Sequence, residues 1–126
     1  MLGPAPPRSM QQRLDRVPHF GLADDAAFWG ALRDARQTVV LWRGVPCGWS
    51  DLFLDRFLRT EAPPGWRLVV RDVEAGGEGP VGSANGIDVT PTLVAYLGER
   101  ETARLEAVEG RGLALPRFAA WLAAIA

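Results

Sequence analysis

The sequence predicts an α/β domain in which a central mixed sheet of four to five strands is flanked by helices. Three observations predict it. Val39-Val40-Leu41-Trp42 is a continuous apolar run, the pattern of a strand buried on both faces and therefore covered by helices on both sides. That run, an amphipathic segment and a second apolar run over 67–73 make a β-α-β unit, whose two strands are parallel. Further on, two strand-like segments flank Gly98-Glu99-Arg100, which reads as the turn of an antiparallel hairpin.

Taken in order, residues 1–12 are rich in proline and polar groups and are expected to form a flexible arm, with the domain proper over 13–126. From Asp24, the apolar residues Ala27, Phe28, Ala31 and Leu32 share one helical face behind an acidic first turn. The strand over 39–42 follows. After a short turn with Pro46, Leu52-Phe53-Leu54-Asp55-Arg56-Phe57-Leu58 has helical spacing and stops before Pro63-Pro64. The strand over 67–73 leads into a glycine-rich stretch, expected to be a flexible loop, and a short helical segment near Ser83-Ala84-Asn85. Strands over 92–96 and about 102–108 come next, and an amphipathic helix over 115–122 carries Pro116 in its first turn.

Composition excludes several classes of function. The 126 residues carry a formal net charge of −1, from 14 basic and 15 acidic residues, and the basic ones, all arginine, are scattered rather than striped. Nucleic acid is therefore not expected as a partner. A single cysteine forms no internal disulfide, which fits a reducing compartment. The N-terminus lacks the apolar core of a signal peptide and no run approaches a membrane span, so a cytoplasmic protein without membrane contact is expected.

The candidate chemistry lies in Cys47-Gly48-Trp49-Ser50. Cys47 falls where a buried strand has ended and a helix begins, so its sulfur faces a helix N-terminus that stabilises the nucleophilic thiolate. A lone cysteine is otherwise a small buried hydrophobe. Ser50 is either a first-turn or capping residue or a hydroxyl donor to the thiolate, and both can hold at once.

At these residues the chain resembles the thioredoxin superfamily. The resemblance covers about 20–126 and rests on the order of elements, the strand ending in Trp42, the Cys-x-x-Ser motif, and Asn85-Gly86-Ile87-Asp88-Val89-Thr90-Pro91-Thr92. The resemblance implies the thioredoxin fold, a cis peptide at Thr90-Pro91 packed against Cys47, and a backbone at Thr90 on which an extended substrate adds as a strand. It further implies Cys47 as nucleophile, Ser50 as its hydrogen-bond donor, Trp49, Thr90 and Pro91 as substrate contacts, and Gly48 and Trp42 as supporting residues, with Trp42 and Trp49 shaping the surface around the sulfur. Gly110 also resembles a family glycine. Partners would be protein thiols or disulfides, with glutathione or a similar small thiol resolving the product, and no cofactor or metal is implied.

The chain also departs from that family. Ser50 replaces the second cysteine, so a mixed disulfide on Cys47 has no internal thiol to resolve it. The family's buried aspartate would fall at Val40 or Leu41, where no acid stands. Val45-Pro46 precedes the cysteine in place of a tryptophan. The expectation is a monothiol thiol–disulfide oxidoreductase. The alternatives are a redox-inactive module that keeps the groove to hold a peptide or partner, and a glutaredoxin-like carrier of glutathione or an iron–sulfur cluster. For the last, Pro46-Cys47-Gly48-Trp49-Ser50 is similar to the monothiol glutaredoxin loop, but Arg43 stands at the wrong spacing for its basic residue.

Other signals fail. Gly77-Glu78-Gly79-Pro80-Val81-Gly82 matches a dinucleotide fingerprint literally, but Pro80 and Asn85-Gly86 leave no full helix to meet a pyrophosphate. His19 is the only histidine, which excludes a His-rich metal site and suits a strand edge. Asp24-Asp25 reads as a helix start, and Trp29, Trp66 and Trp121 as packing residues.

Overall fold

A computed structural model describes residues 17–34 and 37–126. The element order is β1 (His19–Phe20), α1 (Asp25–Arg33), β2 (Gln37–Val45), α2 (Gly48–Arg59), β3 (Arg67–Glu74), a 3-10 turn (Ala75–Gly77), α3 (Pro80–Asn85), β4 (Thr92–Leu97), β5 (Arg100–Glu106) and α4 (Leu115–Ile125). The expected arm over 1–12 lies outside the described residues.

The five strands form one sheet in the order β1-β3-β2-β4-β5. β3 runs parallel to both β1 and β2, and β4 runs antiparallel to β2 and β5, so the sheet is mixed. The two central strands are apolar on both faces because the sheet is covered on both. Alternation along β2 separates them: Val39 and Leu41 face a cluster with Phe53, Leu54, Phe57 and Phe118 from α2 and α4, whereas Val40 and Trp42 face Phe28 and Leu32 from α1.

Two departures from the expectation are local. β1, which lacks a run long enough to announce itself, pairs His19 with Val70 at the sheet edge, and the His19 ring lies 2.8 Å from Asp72. β5 begins and ends two residues earlier than expected, because Leu97 pairs with Arg100 and only Gly98 and Glu99 make the turn.

The glycine-rich stretch is a packed corner rather than a loose loop. Gly76 and Gly77 take positive φ (67° and 71°), and a Cβ on Gly77 would overlap the Ile87 carbonyl. A Cβ on Gly82 would lie 2.6 Å from the Gly77 Cα, and one on Gly79 would overlap Glu74. The fingerprint-like spacing therefore serves close backbone approach. The Glu74 carboxylate accepts from the N–H groups of Gly82 (2.9 Å) and Val81 (3.3 Å), taking the place of an anion at the start of α3. Burial pushes the Glu74 carboxyl up, but these N–H donors and its own outweigh it and hold it below the usual value.

Candidate active site

Cys47 is the N-cap of α2, with extended backbone (φ −155°, ψ 116°), and its carbonyl accepts the Asp51 N–H at 3.0 Å. Pro46 ends the turn from β2, and both Val45-Pro46 and Thr90-Pro91 are cis. The Thr90 hydroxyl donates to the Cys47 sulfur at 3.4 Å and itself accepts the Gly76 N–H at 3.1 Å. In the thiol form, the Cys47 S–H reaches the Thr90 carbonyl at 3.8 Å.

Burial pushes the Cys47 thiol up. Hydrogen bonds from the hydroxyls of Ser50 and Thr90 and from the backbone N–H groups of Ser50 and Trp49 outweigh that and hold it below the ordinary value. The Ser50 hydroxyl is buried and accepts the Gly44 N–H at 3.0 Å, which leaves its own hydrogen for the sulfur. Beside Cys47 opens a groove of about 530 Å³, walled by Trp49 and by segments from three loops around Gly76, Val89 and Ala107.

No protein-family model matches this sequence, and no curated protein matches it either. Solved structures do match in shape. The chain is similar to thioredoxin f2 from Chlamydomonas reinhardtii, at 19% identity over 83% of this chain and 92% of that one, with a TM-score of 0.62. It is similar to spinach chloroplast thioredoxin f at 14% identity, 90% and 92% coverage and a TM-score of 0.62, and to thioredoxin O2 from Arabidopsis thaliana at 22%, 87% and 96%, and 0.59. The chain has the thioredoxin fold.

On this thioredoxin fold, Cys47, Ser50 and Thr90 come together, Pro91 follows Thr90 across the cis bond, and Trp49 stands 45% exposed at the groove wall. Trp42 does not join them. It is fully buried on the α1 face, 5.3 Å from the Phe28 ring, because even-numbered positions of β2 point away from α2, so it does not shape the surface around the sulfur. Gly48 is the first residue of α2, and nothing lies within 4 Å of where a Cβ would stand, so no contact there demands glycine. Gly110 is likewise free of neighbours, and the close approach in that loop is made by Gly112, where a Cβ would lie 3.0 Å from Trp49 Cδ2.

Sequence reasoning also misses Gly44. A Cβ there would lie 2.8 Å from both Cys47 Cβ and Thr90 Cβ, so the missing side chain is what lets β2 pass beneath the pair. A glycine inside an otherwise apolar strand, three residues before the cysteine, is the available signal. Val40 and Leu41 are fully buried with no acid at either position. Near that place lies a buried cation instead: Arg71 of β3 reaches Asp25 at 2.9 Å and stacks on the rings of Phe28 and Trp42. Arg43 lies between Asp51 (3.6 Å) and Asp72 (3.7 Å) and does not line the groove. Among the described residues no group of three or more His, Cys, Asp or Glu could hold a metal ion, and no helix is long and apolar enough to cross a membrane.

Proposed function

We propose that the protein is a monothiol thiol–disulfide oxidoreductase acting on protein disulfides through Cys47. The observation that carries this reading is the Cys47 sulfur at the start of α2, in hydrogen-bond contact with the Thr90 hydroxyl beside a cis Thr90-Pro91 bond. The Cys47 thiolate attacks one sulfur of a substrate disulfide. A new S–S bond forms, the old one breaks, and the departing thiolate takes up a proton. With Ser50 in place of a second thiol, the mixed disulfide persists until an outside thiol attacks it, glutathione or a similar small thiol, returning Cys47 to the reduced state. Ser50 donates to the thiolate, the Thr90 backbone aligns an extended substrate segment, and Trp49 covers one side of it. A reducing compartment such as the cytoplasm would supply the outside thiol.

Intact-mass analysis after incubation with 2-hydroxyethyl disulfide, a neutral probe, tests the reading. One adduct on the wild type, absent from Cys47→Ser and removed by added thiol, is expected. A wild type that gains none is a redox-inactive module, the reading favoured by the buried apolar pair Val40 and Leu41 where a proton-accepting acid would stand.

A further inference from the structure

The groove beside Cys47 is charged on one side only. Four carboxylates line it, Glu78, Asp88, Glu106 and Glu109, and no arginine does. All four are exposed. Glu106 shares Arg104 at 3.7 Å, while Glu78, Asp88 and Glu109 form no ion pair among the described residues. Composition does not explain this, since acidic and basic residues are nearly equal in number over the chain. Basic side chains stand elsewhere: Arg56 and Arg111 flank the cleft on the far side of Trp49. The nucleophile therefore faces a concave surface of one sign, and a cleft of one sign concentrates ligands of the other.

We infer that the groove selects a basic, extended segment carrying the disulfide that Cys47 attacks, and disfavours acidic segments and oxidised glutathione. This rests on the thiol-exchange reading above and adds the substrate class to it. Glu78 follows the 3-10 turn, Asp88 lies two residues before Thr90, and Glu106 and Glu109 stand at and just after the end of β5, so lysine or arginine flanking the reacting cysteine meets them while its backbone runs past Thr90. Glutathione carries net negative charge and finds no cation in the groove, since Arg43 lies outside it, between Asp51 and Asp72. As a resolving thiol it need only reach one sulfur of the mixed disulfide and requires no seat there.

The test compares the rate at which Cys47 captures three disulfide-linked peptide dimers, identical except that the cysteine is flanked by lysine, glutamine or glutamate, together with oxidised glutathione. Lysine flanks are expected to react roughly tenfold or more faster than glutamate flanks at low salt. The gap should close toward about 1 M salt, where the screening length falls to about 3 Å. The triple variant Glu78→Gln, Asp88→Asn, Glu109→Gln should lose the preference, read as the ratio of its lysine-flanked to its glutamate-flanked rate, with the glutamine-flanked rate reporting any change in the thiol itself. Equal rates for all three peptides with a reactive thiol, or a preference that survives the triple variant, overturn the inference and leave the thiol chemistry standing. Reaction with none of them overturns both.

Discussion

The Thr90 hydroxyl donates to the Cys47 sulfur across 3.4 Å while its oxygen accepts the Gly76 N–H at 3.1 Å. The 3-10 turn after β3 thus helps hold the oxygen whose hydrogen reaches the nucleophile. Thr90→Val keeps the shape and removes the donor. Its thiolate should be less favoured, and alkylation by iodoacetamide at neutral pH should slow by roughly tenfold, the scale of a hydrogen bond to a charged group. An unchanged rate profile across pH would show that Ser50 and the helix N–H groups suffice.

The two glycines nearest the thiol should respond in opposite ways. Gly44→Ala forces a methyl group against Thr90 and Cys47 and should cost about 1–3 kcal/mol in denaturant unfolding, with a slower thiol as the pair is pushed apart. Gly48→Ala meets open space and should fall within about 0.5 kcal/mol of the wild type. Equal costs at the two positions would contradict the steric account of β2.

Cys47 makes stability depend on pH in a definite direction. Its folded-state value lies below the unfolded one, so the folded protein releases the proton first as pH rises. The thiolate's contribution is complete above the unfolded value, near the ordinary 9.0, and is lost as pH falls through the depressed folded value. The stability difference between wild type and Cys47→Ala should therefore shift in favour of the wild type on going from about pH 6 to about pH 9, as read by urea midpoints. A shift the other way would mean burial, which raises the value, outweighs the four donors.

Ser50 lies three residues after Cys47 in the first turn of α2, buried and accepting from Gly44. The wild type should not reduce insulin disulfides catalytically, whereas Ser50→Cys should, since a thiol at that spacing can attack a mixed disulfide. Turbidity of insulin in the presence of a reductant reads this directly. The gain should be modest, because Val40 and Leu41 offer no carboxylate to take the proton. If Ser50→Cys forms the internal disulfide yet stays inactive, the groove holds partners without exchanging disulfides.

Much of this arrangement is legible from local pattern. The apolar run in β2 carries the two-sided sheet, and the strand-to-helix change at Pro46-Cys47 carries the sulfur's position. What escapes depends on contacts distant in sequence. The apolar run marks Trp42 as buried while the resemblance has it shape the surface around the sulfur, and the side alternation along β2 sends it under α1. Gly44 and Gly112 carry no side chain to form a pattern, and their importance lies in what they let approach, Thr90 and Trp49 respectively. The four groove carboxylates come from three segments distant in sequence and are ordinary singly. Only the fold gathers them.

The corner formed by Gly77 and Gly82 has a consequence for how this chain can vary. Gly77 presses on the Ile87 carbonyl and Gly82 on Gly77, and from Ile87 the chain runs directly into Asp88, Val89 and the Thr90-Pro91 bond. In a complete scan of single substitutions scored for reactive thiol, positions 77 and 82 should be as intolerant as position 90, although neither lines the groove. Gly30, inside α1 with no atom close to where a methyl group would go, should accept alanine freely. A map of tolerated change would thus mark a strip of apparently inert backbone as part of the functional unit, because it is the footing on which the residue facing the sulfur stands.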